Sequence, residues 1–210
     1  MLIHFDYDGV LVDSFDQLLD IARRVQRQLK EGREVRPEDL RTIRNLTLEE
    51  LGRFIGIPED RVARFASEMF RLLREDSRKL AVFEGIPPIL RDLSRKHTIV
   101  IITSNAQKVV QETLLRSGME GYISDILDGE SPGSKAEKIR KSMGKFGFGK
   151  NQTFMIGDAL SDITEGKKAG VKTIAVSWGF QSRQRLLEGK PDFVAESPPA
   201  LIDIFESFGF

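Results

Sequence analysis

Apolar residues recur along this chain with two periods, and the change from one to the other divides it. Leu2, Ile3 and Phe5 make a short apolar run that predicts a buried strand ending at Asp6. From Ser14 to about Leu80 the spacing is three and four. Phe15, Leu18, Leu19, Ala22, Val25 and Leu29 follow it, as do Val62, Phe65, Met69, Leu72 and Leu73, and no strand pattern interrupts them. Pro37 before Glu38 and Asp39 marks a helix start, Thr47 with Glu50 matches a capping box, and Pro58-Glu59-Asp60 opens a further helix. This stretch therefore reads as an all-helical unit of about four helices.

After Phe83-Glu84-Gly85-Ile86-Pro87 strands and helices alternate. Thr98 to Thr103 is a β-branched run, followed by a helix through Val109, Val110, Leu114 and Leu115 that Ser117-Gly118 closes. Tyr122 to Leu127 suggests a short strand, Lys135 to Met143 a helix, Thr153 to Ile156 a buried strand, Leu160 to Ala169 a helix ended by Gly170, and Val171 to Val176 another strand. Phe193 and Val194 add a last strand before a helix from Pro199. Alternation of this kind predicts an α/β fold with a doubly wound, Rossmann-like parallel sheet. The helical stretch, residues 14–81, is then an insertion between the first strand and the rest of a core made of residues 1–13 and 82–210.

Composition narrows the chemistry mainly by exclusion. The 210 residues carry 32 Lys+Arg against 32 Asp+Glu, so no global field favours nucleic acid or an acidic membrane, and any anion site must be local. The absence of cysteine removes disulfides, thiolate catalysis and thiolate metal sites together and suits a reducing compartment. No apolar run is long enough to span a bilayer, and the start has no leader pattern, so the expectation is a soluble, cytoplasmic protein. Two histidines, His4 and His97, do not make a histidine metal cluster; they are expected at the core edge and the surface.

What the predicted strands end with is more telling, because open parallel sheets bind ligands at their carboxyl ends. The first strand runs into Asp6-Tyr7-Asp8-Gly9-Val10-Leu11-Val12-Asp13-Ser14. Side chains two apart on extended backbone point the same way, so Asp6 and Asp8 share one pocket, and Gly9 permits a sharp turn behind them. Two close carboxylates repel, and a hard divalent cation such as Mg²⁺ relieves that. Asp13-Ser14 reads better as a helix cap. Other strand ends supply Thr103-Ser104-Asn105, Ser134-Lys135 at a helix start, and Gly157-Asp158-Ala159-Leu160-Ser161-Asp162. A carboxylate nucleophile, a hydroxyl with backbone amides, a lysine and an acidic pair for a metal are what phosphoryl transfer to an Asp requires. Taken singly each motif has a plainer reading as a turn, a cap or a solvated lysine, and Lys138 stands one turn beyond Lys135.

With these four motifs in this order, the chain resembles the phosphohydrolases of the haloacid dehalogenase superfamily whose helical cap is inserted directly after the first motif. Within that branch it looks most like the phosphoglycolate phosphatase-like proteins, including the stretch Val176-Ser177-Trp178-Gly179-Phe180. The resemblance implies that Asp6 is the nucleophile and Asp8 the acid/base. It implies that Mg²⁺ is held by Asp6, the Asp8 backbone carbonyl and Asp158, with Asp162 a further candidate ligand. Thr103 or Ser104, Asn105 and Lys135 would then bind the phosphate. Lys135 is followed by Ala136, where the family commonly has Pro, and Val10 stands where Thr is frequent. Trp178 and Phe180 are expected to pack a loop.

If the chemistry lies at the strand ends, the helical insertion must sit over them as a lid. Arg41, Arg44 and Asn45, before Leu46-Thr47, occupy the junction where related phosphatases carry substrate-contacting residues, although a solvated helix face is the plainer reading of both arginines. The expected partner is a small phosphorylated metabolite. A sugar phosphomutase shares the first motif; a receiver-type phosphoacceptor or a silent binding protein on the same fold is the non-enzymatic alternative.

Overall fold

The computed structural model describes residues 1–44, 46–76 and 80–208. In chain order the elements are β1 (Leu2–Phe5), β2 (Val12–Asp13), α1 (Phe15–Leu29), α2 (Pro37–Thr42), α3 (Leu48–Phe54), α4 (Glu59–Glu75), β3 (Ala81–Val82), α5 (Ile86–Ser94) and β4 (Thr98–Ile102). They continue with α6 (Gln107–Arg116), β5 (Asp125–Leu127), α7 (Lys135–Phe146), β6 (Thr153–Gly157), α8 (Leu160–Ala169), β7 (Lys172–Val176), α9 (Arg183–Glu188), β8 (Phe193–Ala195) and α10 (Ala200–Glu206).

Six strands form one sheet in the order β5-β4-β1-β6-β7-β8, every pair parallel. The alternation of side chains along the strands explains why the sheet is covered twice. Ile3 and Phe5 of β1, Ile99 and Ile101 of β4, and Phe154 and Ile156 of β6 face one layer, where Leu90, Val110, Leu201 and Phe205 of α5, α6 and α10 meet them. Leu2, Val100, Ile102 and Met155 face the other, against Ala136 and Ile139 of α7 and Ala169 of α8. His4 falls on that second face and is fully buried, not at the core edge; its Nδ1 lies 3.1 Å from the Phe154 carbonyl, and burial pushes its pKa down to about 4.

The helices α1 to α4 close on an interior of their own, built from Leu19, Ala22, Val25, Leu40, Leu51, Phe65 and Met69. Thr47 caps α3 by accepting a bond from the Glu50 N–H at 3.2 Å, and Pro37 and Pro58 stand at the helix starts anticipated for them. Where the chain leaves for this block and returns, β2 and β3 pair antiparallel, Val12 with Val82 and Asp13 with Ala81. That ribbon, α5 and α9 are elements the pattern reading did not predict. Polar bonds across the seam between block and core include Gln181 Nε2 to the Ile43 carbonyl at 2.7 Å, Arg185 Nη2 to the Thr42 carbonyl at 2.7 Å, and an Arg74–Glu130 ion pair at 3.2 Å.

Candidate active site

Because β1 lies in the middle of the sheet, the residue that follows it emerges between β4 and β6 at their carboxyl ends. That residue is Asp6, whose N–H still donates to the Ile156 carbonyl of β6 at 2.9 Å. The next residues fold into a tight loop, in which the N–H groups of Leu11 and Val12 return to the Tyr7 carbonyl. Gly9 makes the loop possible twice over. Its φ is +70°, and a Cβ there would lie 2.0 Å from Asp158 Oδ2.

Lys135, first residue of α7, reaches across to place Nζ 2.8 Å from Asp6 Oδ2 and 2.6 Å from Asp162 Oδ1. Lys138 turns elsewhere and donates to the Asp128 carbonyl at 2.6 Å, so the lysine of the site is Lys135. Asp158 follows β6 and accepts a bond from the Phe180 N–H at 2.7 Å. Asp162, in the first turn of α8, accepts one from the Ala159 N–H at 3.1 Å. Gly157 allows that close return, since a Cβ on it would stand 2.2 Å from Asp162 Cβ.

Oxygens of Asp6, Asp158 and Asp162 lie within 4.8 Å of one another. Burial pushes Asp6 up to about 7, with Asp162 and Asp8 adding to the rise and Lys135 opposing it. Asp158 is driven well above the usual carboxylate range by burial and then by Asp162 and Asp6. Burial works against the charge of Lys135, but the carboxylates of Asp162 and Asp6 outweigh it and raise its pKa. One ammonium therefore does not balance the three carboxylates. An all-oxygen donor set carrying surplus negative charge fits a hard cation such as Mg²⁺.

The carboxylate of Asp8 stands apart from that trio. Ser14 Oγ donates to its Oδ1 at 2.7 Å and Asn105 Nδ2 to its Oδ2 at 2.5 Å, while burial raises its pKa against those bonds. The Asp8 side chain is thus taken up by Ser14 and Asn105 and is not one of the grouped carboxylates. Of Asp13-Ser14, expected as a helix cap, Asp13 Oδ1 accepts the Phe15 N–H at 3.3 Å at the start of α1, while Ser14, at the N-cap position, makes no side-chain capping bond and instead orients Asp8.

Asp6, Asp8, Ser104, Asn105, Lys135 and Asp158 line a cavity of about 650 Å³ beneath the helical block. Thr103 does not reach it: the side chain is 1% exposed, and its hydroxyl accepts the Asn105 N–H at 3.0 Å. Ser104 presents the hydroxyl in its place. Arg41 and Arg44 also stay outside the lining; the Arg41 guanidinium stacks 5.1 Å over the Phe15 ring. Asn45 lies outside the described residues. The block lines the cavity instead through Gln17 and Leu18 of α1, the start of α3, and Phe70, Leu73 and Arg74 of α4. Phe180 joins them from the core, while Trp178 donates from Nε1 to the Val10 carbonyl at 3.2 Å.

A sheet-end aspartate held by a lysine, beside an acidic trio suited to a cation, on a doubly wound sheet with a helical block after its first strand, defines a hydrolase built for phosphoryl groups. Residues 3–176 match the haloacid dehalogenase-like hydrolases, and the chain belongs to that family. It is 27% identical over 201 residues to a phosphoglycolate phosphatase of Synechococcus elongatus, covering 95% of this chain and 94% of that protein. It is 25% identical over 208 residues to the pyrophosphatase PpaX of Bacillus velezensis, covering 96% and 94%. Among solved structures, a haloacid dehalogenase-like hydrolase from Streptococcus pneumoniae superposes with a TM-score of 0.84 at 22% identity, over 97% of each chain. The chain is accordingly an enzyme, a phosphatase of this family. Among the described residues no helix is long and apolar enough to cross a membrane.

Proposed function

We propose that this chain is a magnesium-dependent, cytoplasmic phosphomonoesterase that hydrolyses a small phosphorylated metabolite through an aspartyl-phosphate. The observation that carries the reading is Asp6 at the end of the central strand, 2.8 Å from Lys135 and within reach of Asp158 and Asp162. Residues 1–13 and 82–210 act as the catalytic core, and residues 14–81 as a cap that excludes water from it.

In this reading an Asp6 oxygen attacks phosphorus as the bond to the ester oxygen breaks, and Asp8 gives that departing oxygen its proton. The raised pKa of Asp8 and the two donors fixing its carboxylate support the acid role. Asp8 then takes a proton from water, the resulting hydroxyl attacks the same phosphorus, and the Asp6–phosphorus bond breaks to release phosphate. Ser104, Asn105 and Lys135 donate to the phosphoryl oxygens throughout, and Thr103 serves by fixing the Asn105 backbone. Asp6, the Asp8 carbonyl, Asp158 and Asp162 would hold Mg²⁺, which supplies the positive charge that lets a carboxylate approach a phosphate dianion.

The test is phosphate release from a panel of phosphorylated metabolites with Mg²⁺ or chelator, for the native protein and Asp6→Asn. The expected outcome is Mg²⁺-dependent release that Asp6→Asn abolishes while the folded signature is unchanged. Release that survives Asp6→Asn would rule out the aspartyl-phosphate, and conversion of a sugar phosphate to its isomer without release would identify a mutase.

A further inference from the structure

We propose that the alcohol this enzyme releases is an uncharged, ring-bearing one with hydrogen-bond donors, and not a small acid. The inference rests on the phosphomonoesterase reading above and concerns the part of the cavity that reads the leaving group. At about 650 Å³ the cavity falls in the roughly 300–1,000 Å³ range of sites that enclose drug-sized ligands, well beyond what a phosphate and a small acid would fill.

Its walls away from the catalytic carboxylates are apolar. Leu18, Leu48, Phe70 and Leu73 face it from the cap and Phe180 from the core. Phe70 is 36% exposed, with the Arg74 guanidinium 5.7 Å over its ring, so a planar group laid against the part left open would remove apolar surface from water, and Phe180, 5% exposed and edge-on to Phe15 at 5.4 Å, adds fixed apolar wall. Glu49, in the first turn of α3, stands at the same cavity, where a carboxylate accepts from hydroxyl or amino donors and repels a second anion. The cations present are already engaged. Arg74 pairs with Glu130 at 3.2 Å, and Lys168 with Glu165 at 2.7 Å. Among the described residues, then, each cavity cation outside the catalytic group faces a carboxylate, and the exposed part of the Phe70 wall is what a ring would cover.

The test compares kcat/KM, with Mg²⁺, for nucleoside monophosphates against phosphoglycolate and pyrophosphate. The ring-bearing esters are expected to be favoured by roughly tenfold or more, the scale on which an apolar pocket discriminates. Leu73→Arg is expected to shift that ratio roughly tenfold toward phosphoglycolate, and Phe70→Ala to lower kcat/KM for the ring-bearing esters roughly tenfold more than for phosphoglycolate. Calorimetric binding of both ester classes to the Asp6→Asn protein should show the same order without turnover. Preference for phosphoglycolate or pyrophosphate, or an equal fall for both classes in Phe70→Ala, overturns the proposal and leaves the phosphomonoesterase intact. No Mg²⁺-dependent release from either class by the folded protein overturns both.

Discussion

Core and cap each close on an apolar interior, yet they bring different kinds of order to the cavity between them. The core holds its reactive groups on rigid supports. Asp6 and Asp158 leave the ends of fully buried strands, Asp162 and Lys135 occupy first turns of helices packed on the sheet, and each carboxylate has a fixed donor. The cap meets the same cavity with side chains from the start of α1, the start of α3 and the later turns of α4, and its polar bonds to the core include two that end on carbonyls at the close of α2. Chemistry is thus preorganised on one side, and recognition is left to the side that can be rebuilt without disturbing it.

Lys135→Met puts the strongest demand on that contrast, since it removes the ammonium and keeps most of the stem. Its Nζ touches Asp6 and Asp162 and no described cap residue is bonded to it, so kcat should fall roughly 10²–10³-fold, by a similar factor for every ester in steady-state kinetics. A loss that depended on the leaving group would show that the core, too, reads the substrate.

Gln181 sharpens the comparison, because it is one buried side chain that belongs to both sides. Its Oε1 accepts the Leu160 N–H at 2.7 Å, at the head of the helix that carries Asp162, while Nε2 donates to Ile43 of the cap. Gln181→Leu removes two bonds worth about 1 kcal/mol each, so kcat/KM should drop about tenfold and amide exchange in α2 should speed up. Unchanged exchange in α2 would mean that the cap is seated by its apolar contacts alone.

The smallest effect lies in the core's electrostatics and is read with the metal chelated. Asp6 is raised from 3.8 to about 7, and Asp158 is raised as well. Across that window the folded protein binds more protons than the unfolded chain, so stability falls as pH rises from 3.8 towards about 7 and stays reduced above it. Asp158→Asn should therefore raise the melting temperature of chelated protein at pH 8, by roughly 2–4 °C for each kcal/mol relieved, and do less at pH 5. Calorimetric melting at the two values checks it; an equal shift at both would assign the effect to packing.

The same contrast governs what could be read from the chain. Strand ends were legible because a β-branched or apolar run stops abruptly at a polar residue, which located Asp6 and Asp158, while Lys135 was legible as the start of a helix and Gly170 gave the Leu160–Ala169 helix its end. At Thr103 and Ser104 that reasoning could not choose, since adjacent residues on extended backbone face opposite ways and only the sheet's pairing decides which looks at the cavity. The ribbon of β2 and β3 joins residues far apart in sequence, and α9 is too short to show a period. α5 opens at Ile86-Pro87-Pro88, where prolines obscure the apolar spacing. In the cap, helix positions were legible but orientation was not. Arg41 and Arg44 look suited to an anion, yet Arg41 of α2 stacks on Phe15, Arg44 beyond α2 does not line the cavity, and Phe70, Leu73 and Arg74 of α4 take it.

The central place of β1 also sets an order of assembly. Leu2 pairs with Thr98 on one side and Thr153 on the other, so β1 has no neighbour until β4 is made and lacks its second until β6 follows. The helices of the cap, whose contacts are close in sequence, can condense meanwhile. On the ribosome Asp6 is therefore made before either flank of its strand, and a nascent chain halted before β6 holds neither the second flank nor Asp158.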